Sequence, residues 1–301
     1  MRPSRLSGLI LLVGCLCWSV SPVVGLARVP QSLSRLTAEK DLWNRGYHYV
    51  VGTDESGTGC IAGPVVVASC VLLKHPNDDD DENNNNIYND DEIVLKDVQD
   101  SKKMSKEMRD KVYRHVLDNP QWYAYNIRVV SPTELAKQQN THKTIRFESR
   151  QSIQELIASS SSLHHDAERI YSIVDGKGPP LRLQVVENDP LPQNTNNNNN
   201  NNNNKEEDNQ QPLQRLTTRV PCRPWVGGDA AVYTVALASV LAKVTHDQLL
   251  LQAHHDYPLY GFQTNKGYPT RQHVAAIHQH GPCPLHRLHT KPLKGRTMKR
   301  Q

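Results

Sequence analysis

The architecture of this chain is limited first by a continuous apolar run. Residues 65–73 read VVVASCVLL, in which four of the nine residues are valine. Such a run is typical of a strand that is buried on both faces, so layers of helix are expected on either side of a sheet. Four more segments are predicted to be strands, namely residues 47–54, 121–130, 169–175 and 181–186.

The helices are predicted from their start and stop signals. Met104-Ser105 opens a helix that Asn119-Pro120 ends, residues 131–134 (SPTE) have the form of a capping box, and another helix covers broadly 144–160. The strongest helix is predicted from Asp229 to about His255, and its many small residues would let it pack closely on a sheet. Strands come first and helices last, which indicates an α/β fold with a helical C-terminal part.

Two low-complexity stretches distort the overall composition and net charge of the chain. Residues 77–92 are acidic and Asn-rich, and residues 188–211 surround an unbroken Asn run. Neither has the apolar content to offset the entropy of ordering, so both are predicted to be disordered insertions. Removing the eight acids of 78–92 from a chain of net charge +4 leaves +12, and removing Arg2 and Arg5 as well leaves +10. This basic core suits a nucleic-acid partner, although a solubility-driven surface explains it equally well.

The N-terminus is predicted to be a targeting segment. Residues 1–27 have the form of a signal peptide, because Arg2 and Arg5 precede an apolar run at 9–20. That run is shorter than the roughly 20 residues that span a bilayer, so no membrane association is expected after the leader is removed. Residues 28–45 are predicted to be a linker or a transit-like segment. The secretory pathway is therefore the expected route, with onward transport to a plastid or another organelle left open.

The cysteines do not have the spacing of a zinc site. Two of the six lie in the predicted leader, and the other four, Cys60, Cys70, Cys222 and Cys283, are scattered without a Cys-x-x-Cys pair. They are predicted to be buried small hydrophobic residues or free thiols.

Four acids are predicted to gather at element ends. Asp54 and Glu55 follow the first strand, Asp175 ends a later strand, and Asp229 starts the strongest helix. Carboxylates that lie close together raise one another's pKa unless a cation neutralises them, and their hard oxygens suit Mg²⁺ or Mn²⁺ rather than zinc. Two such ions about 3.5–4 Å apart can activate a water and stabilise the leaving oxygen of a phosphodiester.

From the residues alone, two other interpretations of these acids stay open. Each acid can be an ordinary loop-end residue, with Asp229 serving only as an N-cap. Asp54 and Glu55 can also be the paired carboxylates of a glycosidase. Adjacent residues on an extended strand point to opposite faces, which argues against a pair that flanks one bond.

Six motifs in order resemble those of the ribonuclease HII family. They are GTDESGTG at 52–59 with AGPVVVA at 62–68, DSKKMS at 100–105, VDG at 174–176, GDA at 228–230 with ASVLAKV at 238–244 and Asp247, YP and YGF at 257–262, and KGYPT at 266–270 with His273 and His286-Arg287. The matches span about residues 48–290, interrupted mainly by the two insertions. Each motif is weak alone, but six in order are specific.

The resemblance implies an RNase H-like mixed sheet flanked by helices, with a helical C-terminal extension. It implies endonucleolytic hydrolysis of the RNA strand of RNA–DNA hybrids, including ribonucleotides embedded in DNA, that leaves 3′-hydroxyl and 5′-phosphate ends. It assigns Asp54, Glu55, Asp175 and Asp229 as the catalytic acids, which would hold two Mg²⁺ or Mn²⁺ ions.

The resemblance also implies a set of substrate contacts. The turn of Gly57, Thr58 and Gly59 would place backbone amides against the ribose 2′-hydroxyl, and its glycines would allow a close approach. Tyr268 would pack on the sugar at an RNA–DNA junction, with a buried core tyrosine as the alternative. Phosphate contacts are assigned to Lys102, Lys103 and Arg287.

One position departs from the family pattern. The family's turn is usually Gly-Arg-Gly, whereas Thr58 offers only a hydroxyl in place of a bidentate cation. The related ribonuclease HIII family also tends to lack this arginine, but it lacks the tail with Tyr268 and Arg287 as well. We expect a reduced preference for single embedded ribonucleotides relative to longer RNA tracts. The alternative, from another functional class, is a catalytically weak protein that only binds RNA–DNA hybrids.

The predicted organisation has three parts after the targeting segment. Residues 46–256 form the catalytic domain with the two insertions, residues 257–290 form a substrate-binding extension, and residues 291–301 form a basic tail. The protein is expected to be a monomer.

Overall fold

The computed structural model describes residues 36–73, 98–138, 140–186, 217–290 and 293. The predicted signal peptide, both predicted insertions and the basic tail apart from Leu293 lie outside these residues. The helices are α1 (Thr37–Asn44), α2 (Lys106–Asp118), α3 (Pro132–Gln138), α4 (Thr141–Ser159), α5 (Ser161–His165), α6 (Gly228–Ala231), α7 (Tyr233–Asp256), α8 (Phe262–Asn265) and α9 (Arg271–His280), with single 3-10 turns at Ala167–Arg169 and Pro258–Tyr260. The strands are β1 (Tyr49–Ser56), β2 (Val65–Leu72), β3 (Tyr123–Val130), β4 (Ile170–Asp175), β5 (Leu183–Val186), β6 (Thr217–Val220) and β7 (Cys222–Trp225).

The central sheet has five strands in the order β3-β2-β1-β4-β7. The first three are antiparallel neighbours, whereas β1, β4 and β7 run parallel, so the predicted mixed sheet is confirmed. Strands β5 and β6 pair separately, on either side of the insertion predicted at 188–211. The short strands β6 and β7 had not been predicted from the sequence.

The apolar run of β2 is buried on both faces, as predicted. Val66 and Ala68 pack into a core with α7, while Val65 and Val67 pack on the opposite face with Ile145 of α4. Alternate side chains of one strand thus serve two cores, which is why the run contains no polar face.

Helix α7 lies directly against β1 at Gly52. A Cβ at Gly52 would come within 2.2 Å of the backbone atoms Thr234 C and Val235 N, so the contact requires a residue without a side chain. Small residues of α7, among them Ala238 and Ala242, are fully buried. The predicted close packing of this helix on the sheet is confirmed.

The prediction of one helix from Asp229 to about His255 is wrong at its start. The helix is interrupted at Val232, whose φ of −121° and ψ of 122° are extended, and Asp229 lies in the single turn α6 instead. Gly227 is the N-cap of α6, so Asp229 is not the N-cap that the alternative interpretation required.

The predicted linker at 28–45 contains part of the fold. Glu39 and Leu42 of helix α1 and its N-cap residue Leu36 are buried. Glu39 Oε1 accepts hydrogen bonds from Thr234 N at 3.0 Å and Thr234 Oγ1 at 3.3 Å. Because the N-cap of α7 makes no side-chain hydrogen bond, Glu39 satisfies one of the unpaired amides at its start. The domain boundary placed at residue 46 is therefore too late.

Glu39→Gln is expected to stabilise the protein in a pH-dependent manner. Burial raises the pKa of Glu39 from 4.5 to about 7, so its neutral form is favoured in the fold. The contribution of neutral Glu39 to the free energy of unfolding is fully present below pH 4.5. It is lost as pH rises to about 7, because the folded protein then holds a buried charge. The variant should therefore match wild type at pH 4 and exceed it by about 3 kcal/mol at pH 8, in denaturant unfolding.

The matched control is Glu168→Gln on the exposed turn after α5. The free energy of unfolding of this variant should equal that of wild type at every pH. A Glu39→Gln variant whose stability difference from wild type is the same at both pH values would contradict the burial argument.

The C-terminal extension shares a core with the catalytic domain. Tyr260, Phe262 and Ile277 pack together with Leu250 at the end of α7 and Ile61 of the loop after β1. The extension therefore contacts the loop that follows the first acidic motif.

The four described cysteines are all free, and three of them are buried. Burial raises the pKa of the Cys60 and Cys283 thiols to about 11. The prediction of buried small residues is thus confirmed for Cys60, Cys70 and Cys283. Among the helices described, none has the length and apolarity needed to cross a membrane.

Candidate active site

Three parallel strands end at one edge of the sheet and bring the acids together. Thr53 of β1 is level with Val174 of β4, so Asp54 and Asp175 follow side by side. Asp175 is in turn level with Trp225 of β7, and Asp229 comes four residues later. The predicted gathering of acids at element ends thus follows from the register of these strands.

The four carboxylates interact electrostatically. Burial, followed by Glu55 and Asp175, raises the pKa of Asp54 well above its usual range. Burial, followed by Asp175, also raises the pKa of Glu55 to about 7, against an opposing effect of Lys102. Burial, followed by two neighbouring acids, raises the pKa of Asp229. This mutual repulsion is what a bound divalent cation would relieve.

Backbone amides orient two of these side chains. Asp54 Oδ1 accepts from Glu55 N, and Asp175 Oδ1 accepts from Gly228 N, both at 2.7 Å. Within the described ranges, no three acidic, histidine or cysteine side chains could hold one metal ion as they stand. The donor set nevertheless fits Mg²⁺ or Mn²⁺ in its chemistry, because it consists of hard, mutually repelling oxygens, and completing a site requires side-chain rotation.

A fifth acid, Asp100, was missed in the sequence. Its electrostatic effect and its hydrogen bond to Asp229 both raise the pKa of Asp229. Its Oδ1 also accepts from Lys102 N at 3.0 Å, which shapes the turn that carries Lys102. The sequence carried a signal for it, since Asp100 begins the DSKK segment at 100–103, in which only the lysines are predicted to have a role.

Lys102 lies next to the acids, with its side chain 75% exposed. Its Nζ is 3.7 Å from Asp229 Oδ2 and 4.0 Å from Asp100 Oδ1. Partial burial acts to lower the pKa of Lys102, but the surrounding carboxylates outweigh it and raise that pKa. Lys103 is exposed. A phosphate contact by either lysine stays a prediction.

Two serines connect the acids to α7. Ser101 Oγ and Ser239 Oγ are 2.9 Å apart in the interior, and a hydrogen bond from Ser239 to Asp54 acts to lower the pKa of Asp54. The sequence pattern identifies Ser239 only as a small packing residue and gives no sign of this polar role.

The predicted substrate turn is a β-turn in which Cys60 N donates to Gly57 O at 3.2 Å. Gly57 has a φ of +90°, and a Cβ there would lie 2.7 Å from the His246 ring and from Pro64 O. Glycine is therefore required at Gly57 by the packing of the interior, and the predicted close approach of a substrate stays a prediction. At the exposed Gly59, a Cβ would meet only Tyr268 Cε1, at 3.7 Å.

Tyr268 lies beside this turn and is 38% exposed, so the alternative of a buried core tyrosine is wrong. Lys243 Nζ is 5.7 Å from the centroid of its ring, and the same Nζ is 2.8 Å from Asp247 Oδ1. The ion pair with Asp247 thus holds the Lys243 ammonium over the Tyr268 ring, and this contact limits the orientation of the ring.

The predicted phosphate contact of Arg287 is wrong. Its side chain is only 1% exposed, and its guanidinium donates to the backbone carbonyls of Gly57, Gly63 and Pro64. Burial lowers the pKa of Arg287 to about 10, so it remains charged at neutral pH. A buried guanidinium that donates to three backbone carbonyls cannot also bind a phosphate at the surface.

The mixed sheet, the helices on both of its faces and the acids at the ends of its parallel strands define a nuclease of the RNase H fold. The Ribonuclease HII family profile matches residues 51–292. A ribonuclease HII of Chlamydia pneumoniae is 30% identical over 269 residues, which cover 89% of this chain and 95% of that protein. The chain belongs to the ribonuclease HII family and is a ribonuclease H enzyme.

Solved structures support the fold. Ribonuclease H2 of Pyrococcus horikoshii superposes with a TM-score of 0.51 at 19% identity, covering 82% of this chain and 96% of that one. Bst ribonuclease HIII, solved in complex with Mn²⁺, has a TM-score of 0.52 at 17% identity, covering 84% of this chain and 70% of that one. The predicted RNase H-like sheet with a helical C-terminal region is thus confirmed.

Proposed function

We propose that this ribonuclease cuts the RNA strand of RNA–DNA hybrids, including ribonucleotides embedded in DNA, and leaves 3′-hydroxyl and 5′-phosphate ends. The observation that carries the proposal is the convergence of Asp54, Glu55, Asp175 and Asp229 where the three parallel strands end. The same acids would hold Mg²⁺ or Mn²⁺, and the Mn²⁺ complex of the structurally similar Bst ribonuclease HIII supports a cation of this kind. The protein would act as a monomer.

Bound ions would activate the attacking water and neutralise charge on the leaving oxygen. The residues of the chain would then supply binding and orientation. Lys102, next to Asp229, would bring a positive charge to the scissile phosphate. The amides of the turn at Gly57–Gly59 would contact the ribose 2′-hydroxyl, and Tyr268, oriented by Lys243, would stack on the neighbouring sugar.

The test is a gel assay on two labelled duplexes, one with a long RNA tract and one with a single embedded ribonucleotide. Wild type should nick both in Mg²⁺ or Mn²⁺ and neither in chelator, with a relative preference for the long tract. Thr58→Arg should shift that preference towards the single ribonucleotide, because it restores a cation at the turn.

Two outcomes would count against these proposals. Binding of the hybrid without metal-dependent nicking would identify a hybrid-binding protein instead of a nuclease. Equal relative cleavage of the two duplexes by wild type and Thr58→Arg would reject the role given to Thr58.

A further inference from the structure

We infer that Arg287 is a positioning residue that sets the orientation of the Gly57–Gly59 turn, so that the C-terminal extension contributes to recognition of the RNA sugar. The inference rests on the proposed function, in which that turn contacts the ribose 2′-hydroxyl. It replaces the phosphate contact that the sequence had suggested for Arg287.

The side-chain hydrogen bonds of Arg287 are all directed at residues 57–64, the segment that contains the turn. Nη1 donates to Gly57 O at 2.7 Å, Nε donates to Gly63 O at 2.8 Å, and Nη2 donates to Pro64 O at 2.6 Å. Among the described residues Arg287 makes no salt bridge, so carbonyl dipoles are what balance its buried charge. Charge-assisted hydrogen bonds of this kind are stronger than neutral ones, and they fix the direction of each carbonyl.

The hydrogen bond to Gly57 O has a direct consequence for the substrate side of the turn. In a trans peptide the carbonyl and the following N–H point in opposite directions. The Gly57–Thr58 peptide is trans, and Arg287 holds its carbonyl towards the interior. The N–H of Thr58 must therefore point away from the interior, towards the side on which Gly59 and Tyr268 are exposed.

The rest of the extension holds the loop after the turn but not the turn itself. Arg287 N donates to Ile61 O at 2.8 Å, Gly63 N donates to Leu285 O at 2.9 Å, and Ile61 N donates to Gly267 O at 2.9 Å. These backbone hydrogen bonds do not depend on the Arg287 side chain. Truncating that side chain leaves Gly57 O with only the longer hydrogen bond from Cys60 N, at 3.2 Å. The Gly57 carbonyl should therefore loosen while the backbone connection of the extension remains.

The experiment measures binding in an Asp54→Asn background, in Mg²⁺ buffer, so that the substrate stays intact. The dissociation constants for an RNA–DNA hybrid and for a DNA duplex of the same sequence give a discrimination ratio. Arg287→Ala should reduce that ratio about tenfold, as expected when a group that orients a hydrogen bond to the substrate is lost. Arg287→Lys, which keeps the charge but not the three-directional donor set, should give an intermediate ratio.

The salt dependence of binding separates this role from a phosphate contact. Loss of one phosphate contact lowers the slope of log affinity against log salt by about 1. For Arg287→Ala the slope should stay at the wild-type value, and millimolar methylguanidinium should restore part of the discrimination ratio. The matched control is Arg271→Ala on the exposed face of α9, which should leave the ratio unchanged.

An unchanged ratio in Arg287→Ala, or a reduced salt slope, would overturn the inference. If Arg287→Ala does not fold, the ratio and slope of Arg287→Lys decide the question. If the Asp54→Asn variant with Arg287 intact binds hybrid and DNA equally, the proposed substrate is wrong. That result is distinguishable from a failure of the inference about Arg287.

Discussion

Asp54→Asn is expected to lower the rate of hybrid cleavage at least about a thousandfold, which corresponds to about 4 kcal/mol of transition-state stabilisation. Asp54 is buried at the end of β1 beside Asp175, where an amide would keep the shape but lose the negative charge that a divalent cation needs. The measurement is the single-turnover nicking rate on the long-tract hybrid in Mg²⁺.

The same variant should be at least as stable as wild type in chelator. Burial and two neighbouring carboxylates raise the pKa of Asp54, so an uncharged side chain relieves an unfavourable interaction in the fold. Addition of Mg²⁺ should raise the melting temperature of wild type, because a ligand that binds only the native state stabilises it, and should raise that of Asp54→Asn much less.

Asp118→Asn at the exposed end of α2 is the matched control, and its cleavage rate and metal response should equal those of wild type. Cleavage by Asp54→Asn within tenfold of wild type would show that this carboxylate is not part of the catalytic site. The assignment of the other three acids would then also need revision, since they were placed by the same strand register.

Gly52→Ala is expected to destabilise the fold by more than about 4 kcal/mol, beyond the range of most single substitutions. The added Cβ would lie 2.2 Å from Thr234 C and Val235 N. These are backbone atoms of the first turn of α7, so no side-chain rotation can relieve the overlap, and the helix must move away from the sheet. Denaturant unfolding and the yield of soluble protein measure the effect.

Gly59→Ala is the control for this prediction. A Cβ at Gly59 meets Tyr268 only at an ordinary contact distance of 3.7 Å, so stability should change by less than about 1 kcal/mol. Wild-type-like stability of Gly52→Ala would contradict the close approach of α7 to β1 at this position.

The sequence was informative where a local pattern decides the outcome. The valine-rich run of β2 predicted a doubly buried strand, and Ser131 with Glu134 forms the predicted capping box, with Ser131 N donating to Glu134 Oε2 at 2.8 Å and Glu134 N donating to Ser131 Oγ at 3.2 Å. The ordered acidic motifs identified the candidate site because strand ends carry side chains to a common edge. In each case the determining residues are close together in the chain.

The sequence was less informative where distant segments decide the outcome. An arginine near a basic tail gives no sign that its guanidinium is enclosed by three carbonyls more than 200 positions away, as Arg287 is. The break at Val232 is likewise invisible in a run that is helical by composition. The role of Gly57 depends on His246 behind it, which no turn motif encodes.

The packing of α1 sets a limit on how far the chain can be shortened from its N-terminus without loss of buried contacts. A peptidase that cut after residue 27 would leave Leu36, Glu39 and Leu42 in place. One that trimmed the chain to residue 45 would expose the surfaces those side chains cover and leave the amide of Thr234 without its acceptor. An N-terminal truncation that preserves this packing must therefore leave Leu36 and the residues after it in place.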